Sequence, residues 1–336
     1  MVRLRRVSPD EPGWSRVRHG RGFRYLGVDG VSLTPVDVER CKRLVIPPAW
    51  TEVWICPFEH GHLQAVGTDD AGRRQYLYHE EWRRQRDAEK FASMESFARS
   101  LLRNRRVARH DLGRDEPDLT RACAVAFGLL DLGLFRIGNE QYRAANGSHG
   151  LTTLDRDHVT VQGQRIALHY PGKSGQVVDG SVRDERLADA VCAMLDRDGG
   201  SERAFAWRDE DAWHDLDSAT VNAYVADVLG PGFTAKNFRT WRGTVIAARS
   251  LALADASTAT ARKRAISAAM KETAGHLGNT PAVARSSYVD PRVVDLFEQG
   301  ITLGDTALGK RRRISPGAPV PRVLERSVLR LLRRSA

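Results

Sequence analysis

The chain has 336 residues, 41% hydrophobic and 28% charged, which predicts a folded protein large enough for two domains. It holds 52 Lys and Arg against 42 Asp and Glu, so its formal net charge of +10 favours a polyanionic partner such as nucleic acid. Four widely spaced cysteines without a CxxC pair argue against a disulfide scaffold or a zinc ribbon. No signal peptide and no apolar run of ~18 residues is evident, so we expect a cytoplasmic protein that does not cross a membrane.

The first 85 residues predict a small, mostly antiparallel β domain. Short alternating or aromatic runs, FRYLGV, TEVWICP, HLQAVGTD and RQYLYH, are separated by turn-rich stretches. In the last run, Tyr76 and Tyr78 alternate with Gln75 and Leu77, so both tyrosines should face the same side of a strand. A linker is predicted near residues 80–90.

Residues 86–336 predict a larger, mainly helical domain. Helical patterns cover about residues 88–109 and the apolar stretch DLTRACAVAFGLLDLG, and four more follow residue 180. Between them, HVTV, RIALHY and QVVDG predict a three-stranded meander with Lys173 in a glycine-rich turn. The basic end, residues 309–336, contains nine Lys or Arg and one acid, with helical spacing in VLERSVLRLLRR. It would either bind phosphates or form a solvated end.

The stretch LGNTPAVARSSYVDP places one tyrosine between two helix starts. Thr280 before Pro281 and Asp290 before Pro291 are both N-terminal capping signals. Tyr288 should therefore lie about two turns into one helix, just before the break. Taken alone, a tyrosine in this position is most simply a packing residue.

Cationic residues elsewhere in the chain suggest a different role for this tyrosine. Arg136 stands in FRIGNEQY at a predicted helix start, Lys173 in YPGKSG, and Arg239 in KNFRTWRGT, where Arg242 offers the same group one turn away. A metal site is not predicted, since the sequence has no HExxH motif and His60 and His62 fit a polar loop.

In this order and spacing, the motifs FRIGNEQY, GLTTLDRDHVTVQG, YPGKSG, KNFRTW and GNTPAVARSSY strongly resemble the type IB DNA topoisomerases, of the small poxvirus-like and bacterial kind. The N-terminal runs IPPAWTEVWICP and GTDDAGRRQYLYH also look like the β domain of that family. The resemblance covers about residues 20–300. It implies an α+β protein: a small N-terminal antiparallel sheet and a larger, mainly α-helical catalytic domain of the tyrosine recombinase/topoisomerase IB fold.

The resemblance implies a role for each residue of the cationic set. Tyr288 would attack the scissile phosphodiester and form a 3′-phosphotyrosyl link, Arg136 and Arg239 would bind the non-bridging oxygens, and Lys173 would protonate the leaving 5′-oxygen. Asn279 stands where the poxvirus-type enzymes have histidine; it can still donate a hydrogen bond but cannot act as an acid. Its register with Tyr288 favours Asn279 over the nearby His276.

The resemblance also implies that duplex DNA is the partner, clamped by a monomer in the nucleoid, with no cofactor, ATP or metal. Six residues are predicted to contact DNA: Gln75, Tyr76, Tyr78, Arg73, Arg74 and Tyr142. A tyrosine recombinase shares the catalytic logic and remains an alternative, although it usually carries a helical N-terminal domain. A basic DNA-binding protein without activity is the third possibility.

Overall fold

The computed structural model describes residues 3–133, 135–304 and 314–335, except for the side chains of Tyr142, Asn146, Ser174 and Ser335. The chain divides into two compact units, Met1–Ala92 (unit 1) and Ser93–Ala336 (unit 2). None of the described helices combines the length and the apolar character that a membrane crossing requires.

Unit 1 is built on a five-stranded antiparallel sheet, as the alternating runs predicted. Its strands, in spatial order β2-β1-β3-β4-β5, and its two helices are β1 (Trp14–His19), β2 (Gly22–Leu26), α1 (Pro35–Arg43), β3 (Thr51–Ile55), β4 (Leu63–Thr68), β5 (Arg74–Tyr78) and α2 (Glu80–Ala92). Helix α2 occupies the segment that was predicted as a linker. Helix α1 begins where the Thr34 side chain accepts from the Asp37 N–H and Pro35 fixes the first turn.

The two faces of this sheet are covered by different groups of apolar residues. On one face Cys41 of α1 packs with Val53, Ile55 and Ala65, and Leu77 of β5 lies against this cluster. A second apolar cluster forms around Cys56, Leu63 and Val66. In the register of β4 and β5, Ala65 pairs with Leu77 and Val66 with Tyr76, so Tyr76 faces away from α1.

Unit 2 is mainly helical and contains two small sheets. The elements are α3 (Met94–Leu112), α4 (Leu119–Asp131), α5 (Glu140–Asn146), β6 (Val159–Gln162), β7 (Arg165–Pro171), β8 (Val177–Arg183), α6 (Glu185–Leu195), β9 (Ala206–Arg208), β10 (Trp213–Asp215), α7 (Ser218–Leu229), α8 (Ala235–Ala252), α9 (Ala259–Leu277), α10 (Pro281–Ser287), α11 (Pro291–Glu298) and α12 (Arg322–Leu332). Strands β6, β7 and β8 form the predicted meander, whereas the β9–β10 hairpin was not predicted.

Helix α8 is the centre of unit 2 and is buried along most of its length. It contacts α3, α4, α7, α9, α11 and α12. Its Phe238 makes edge-to-face contacts with Phe97 and Phe127, at centroid distances of 5.2 and 5.0 Å. Since aromatic burial of this kind fixes the helix on several sides, side chains on α8 have well-determined positions.

The apolar face of the basic end packs into the core of unit 2, while its described arginines are exposed. Helix α12 buries Leu324, Val328 and Leu332, and its buried Glu325 accepts hydrogen bonds from Arg105 (2.5 and 2.7 Å) and from the Trp241 indole (2.9 Å). The helical spacing of this segment was therefore predicted correctly. Residues 309–313 of the basic end lie outside the described residues.

Candidate active site

Tyr288 lies at the break between two helices, as the sequence predicted. It follows the last residue of α10, and its N–H donates to the Ala284 carbonyl at 3.0 Å. Gly243 of α8 lies against it so closely that a Cβ atom there would stand 2.6 Å from the Tyr288 carbonyl oxygen. The hydroxyl of Thr244 accepts from the Asp290 N–H at 3.1 Å. Helix α8 therefore fixes the backbone of the tyrosine.

Arg239 lies one turn before this contact on the same helix. Its side chain is 4% exposed, and one Nη donates to the Leu277 carbonyl at 2.5 Å. Its guanidinium carbon is 5.1 Å from the centre of the Tyr288 ring. Burial lowers the pKa of Arg239, and the Tyr288 phenol next to it partly opposes that effect. Arg239 Nε is buried with no hydrogen-bond partner among the described residues, so it remains available for a ligand.

Arg242, which the sequence left as an alternative to Arg239, points elsewhere. One Nη donates to the Ala318 carbonyl at 2.8 Å, and its charge interacts with Asp131 and Glu325. Burial lowers its pKa to about 10. Its contacts therefore assign it to the packing of unit 2, while Arg239 faces the tyrosine.

Arg136 and Asn279 are joined by a hydrogen bond. Arg136 is in the loop between α4 and α5 rather than at the predicted helix start, since α5 begins four residues later. It donates to Asn279 Oδ1 at 2.6 Å. Because a guanidinium only donates, the amide must turn its oxygen toward Arg136 and its NH₂ group away. Asn279 Nδ2 is buried without a hydrogen-bond partner among the described residues, so this donor is available for a ligand.

Lys173 is exposed at the turn between β7 and β8, as predicted. The turn is closed by a bond from the Gly172 N–H to the Gln176 carbonyl at 2.8 Å, and Gly175 has a φ of 73° that favours glycine. Lys173, Arg136 and Arg239 line one cavity of about 270 Å³. The meander therefore brings an exposed cation to the same cavity as the two arginines.

The cations of the site change the pKa of Tyr288. Burial alone would raise the pKa of Tyr288, but the charge and hydrogen bonding of Arg239, followed by the charges of Arg136 and Lys173, outweigh it and lower that pKa. A lowered pKa increases the phenolate fraction near neutral pH, where free tyrosine is almost entirely protonated. The site is thus arranged to activate an oxygen nucleophile beside groups that bind an anion.

A short segment that the sequence did not single out links the two loops of the site. The N–H of His149 donates to the Pro171 carbonyl, just before the Lys173 turn, and the N–H of Leu151 donates to the Arg136 carbonyl, both at 2.8 Å. The GLTTL stretch that begins at Gly150 was noticed only as part of a motif. Its side chains are mostly apolar or small, so no residue pattern indicated that its backbone connects the two cationic loops.

His276, the neighbour that was set aside in favour of Asn279, lines the same cavity but lies deeper. It is 9% exposed, and burial followed by the charge of Arg242 lowers its pKa. The bond from Arg136 goes to Asn279 instead. The choice of Asn279 over His276 stays a prediction.

The predicted DNA-contact residues, other than Tyr142, all lie in unit 1. Tyr76 and Tyr78 are 48% and 36% exposed and stack at 6.2 Å, so they share one face as predicted. Arg73 and Gln75 both bind Asp69, at 2.9 and 2.8 Å. Arg74 is exposed. Tyr142 lies in α5, but its side chain is outside the described part of the chain.

One group of possible metal ligands occurs among the described residues, and its hydrogen bonds do not favour a metal. Candidate atoms of His149, Asp155 and His158 lie within 4.8 Å of one another. His158 Nδ1 accepts from the Asp155 N–H, so the neutral ring carries its proton on Nε2 and has no free lone pair there. The Asp155 carboxylate is bound by Arg203 at 2.7 Å. The group fits a structural hydrogen-bond network.

Comparison with known proteins agrees with this geometry. Residues 79–302, more than half of the chain, match the family described as eukaryotic DNA topoisomerase I, catalytic core, and residues 22–69 match the bacterial DNA topoisomerase IB, N-terminal domain. DNA topoisomerase 1B of Acanthamoeba polyphaga mimivirus is 29% identical over 295 residues, covering 85% of this chain and 88% of that protein. DNA topoisomerase 1B of Vaccinia virus (strain Copenhagen) is 21% identical over 298 residues, covering 88% and 85%.

The two family matches extend over both units. The chain therefore belongs to the type IB DNA topoisomerases.

Proposed function

We propose that this chain relaxes supercoiled duplex DNA by cutting one strand, letting the free end rotate and resealing the break, with Tyr288 as the nucleophile. The observation that supports this most directly is the set of three cations, Arg239, Arg136 and Lys173, whose charges together lower the pKa of a half-buried tyrosine. A packing tyrosine has no need of such surroundings, whereas a phosphate-attacking phenol does.

In the proposed cleavage step, the Tyr288 oxygen attacks the scissile phosphorus and forms a phosphotyrosyl bond to the 3′ side. The bond to the 5′-oxygen breaks, and Lys173 gives its proton to that leaving oxygen. Such proton transfer typically contributes about 10²–10⁴-fold. Resealing is the same exchange in reverse, so the number of phosphodiester bonds is conserved and no ATP is required.

The two arginines and Asn279 would stabilise the transition state. The additional negative charge develops on the non-bridging oxygens, and Arg239 Nε and Asn279 Nδ2 are buried donors that are still available to bind them. Arginine suits this role because its planar fork can bind two oxygens and stays charged. These protein cations would supply the charge neutralisation for which other enzymes use metal ions.

We further propose that the chain acts as a monomer in the cytoplasm, with its two units clamping the duplex. Tyr76 and Tyr78 of unit 1 would contact the DNA, with Gln75, Arg73 and Arg74 beside them. Since Arg73 and Gln75 are bound to Asp69 in the free protein, their contacts would require exchange of these bonds.

The recombinase alternative fits unit 1 less well. A recombinase would usually carry a helical N-terminal domain, whereas unit 1 is a five-stranded antiparallel sheet. Residues 22–69 also match the N-terminal domain of bacterial topoisomerase IB. A DNA-binding protein without activity would bind DNA equally well with or without Tyr288, and would show no turnover before the change.

The first test is relaxation of a supercoiled plasmid in EDTA without ATP, with topoisomers resolved on a gel. We expect relaxation of both negative and positive supercoils, and Tyr288→Phe should abolish it while leaving binding in a mobility shift nearly intact. Relaxation by Tyr288→Phe at the wild-type rate would refute the assignment of the nucleophile. An intact plasmid despite binding would instead favour a site-specific recombinase or a binding protein.

The second test separates Lys173 from the arginines. A substrate with sulfur in the 5′-bridging position has a much better leaving group, so it should restore cleavage to Lys173→Ala but not to Arg136→Ala or Arg239→Ala. Equal defects on the two substrates would contradict the role of Lys173 as the acid.

A further inference from the structure

A row of aromatic rings extends from the predicted DNA-contact tyrosines to helix α2 of unit 1. Tyr76 and Tyr78 stack with an interplanar angle of 16°. Tyr78 is 6.3 Å from the ring of His62, and His62 meets Trp82 edge-on at 4.8 Å. The row therefore begins on β5 and ends on α2, on the side of the sheet that faces away from α1.

Residues 3–7 are attached to this same part of unit 1. The Arg5 N–H donates to the His60 carbonyl at 2.8 Å, and the His62 N–H donates to the Arg5 carbonyl at 2.9 Å. The Val7 N–H donates to His62 Nδ1 at 3.2 Å, and Val7 itself is buried. These bonds fix the backbone of the segment next to a ring of the row.

Two guanidinium groups lie at the α2 end of the row. The guanidinium carbons of Arg6 and Arg86 are 5.9 and 5.7 Å from the Trp82 ring. Both arginines are exposed; Arg86 also pairs with Glu89 at 2.9 Å, in an exposed contact of the kind that contributes little. A guanidinium within about 6 Å of an aromatic ring is attracted to it, and its planar fork also suits the oxygens of a phosphate.

We propose that Arg6, Trp82 and Arg86 form a further contact with the DNA phosphate backbone, continuous with Tyr76 and Tyr78. The inference rests on the proposed function in one respect, namely that the tyrosine face meets the duplex. Arginines beside aromatic rings, in register with a DNA-contact strand, suit a polyanion with regularly spaced charges. Residues 3–7 lie outside both segments that match family models, whereas Trp82 and Arg86 lie inside one of them.

The test is the salt dependence of duplex binding, measured in the Tyr288→Phe background so that cleavage does not contribute. Arg6→Gln/Arg86→Gln removes two charges at the row. The matched control, Lys42→Gln/Arg43→Gln, removes two charges from α1 on the opposite face. The two double variants are comparable because each includes one cation that forms an ion pair with a glutamate three residues away: Lys42 with Glu39 and Arg86 with Glu89.

Losing two phosphate contacts should reduce the slope of log K against log [salt] by about 1.8, at 0.9 for each contact. The control should keep the wild-type slope. Equal slopes for the two double variants would overturn the proposal. Both variants lose two positive charges, so equal slopes would mean that only the change in net charge matters. A second outcome would also overturn the proposal. If Arg6→Gln/Arg86→Gln, and not the control, lost binding to anionic lipid vesicles while its DNA slope stayed unchanged, this face would be assigned to a membrane surface.

Failure of this inference and failure of the proposed function are distinguishable. Plasmid relaxation by the wild-type protein tests the activity, and it does not depend on the slope. A reduced slope with no relaxation would leave the contact standing and refute the activity, whereas relaxation with equal slopes would refute only the contact.

Discussion

Gly243→Ala should slow DNA cleavage strongly while changing the stability of the fold little. An added Cβ would lie 2.6 Å from the Tyr288 carbonyl oxygen and 3.1 Å from its Cβ, whereas ordinary contacts begin at 3.4 Å, so α8 and the tyrosine backbone must move apart by about 0.8 Å. A misplacement of ~1 Å can cost about 10²-fold in rate. Overpacking costs about 1–3 kcal/mol, and the better helix propensity of alanine offsets roughly 1 kcal/mol of that.

The assay is single-turnover formation of the covalent complex on a linear duplex, with binding and thermal unfolding measured in parallel. We expect a cleavage rate reduced about 10²-fold, with nearly unchanged binding. Gly128→Ala is the matched control, because Gly128 lies on α4 and an added Cβ would stand 2.8 Å from the side chain of Leu187 on α6. Cleavage by Gly243→Ala at the wild-type rate, or an equal loss in the control, would refute the role of this close approach.

Three other changes test separate parts of the structure. Asn279→Ala should slow cleavage by about 10²-fold by removing a buried donor, and Asn279→Asp, which keeps the acceptor but not the donor, should be at least as slow in the same single-turnover assay. Glu325→Ala should reduce the free energy of unfolding by about 3 kcal/mol, because it leaves the largely buried Arg105 side chain with Asp131 as its remaining acid partner; denaturant unfolding should show no such loss for exposed Glu298→Ala. Cleavage should rise with pH and level off below the ordinary tyrosine pKa of 10.0, since the surrounding cations lower the pKa of Tyr288; ultraviolet difference titration against Tyr288→Phe measures it, and a value of 10 or above would contradict the electrostatic argument.

The sequence predicted those features that local patterns determine. Alternation in RQYLYH placed Tyr76 and Tyr78 on one face, and the Thr-Pro and Asp-Pro pairs placed Tyr288 at a helix break. The residue pattern alone could not distinguish Arg239 from Arg242, which only the resemblance did, because both lie on a helix that is buried on all sides and so lacks an amphipathic pattern. That distinction depends on which neighbours accept the hydrogen bonds, and only the tertiary structure provides it.

The site combines two kinds of positioning. Arg239 and Gly243 belong to one buried helix, so the relation between the first arginine and the tyrosine is fixed by a single rigid element. Arg136 and Lys173 lie in loops, which His149 and Leu151 tie together through backbone hydrogen bonds. A change in α8 should therefore displace the nucleophile itself, whereas a change in the loops should move a cation that DNA binding can still reposition. This difference explains why we expect the stronger defect from a single methyl group at Gly243 than from conservative changes in the linking segment.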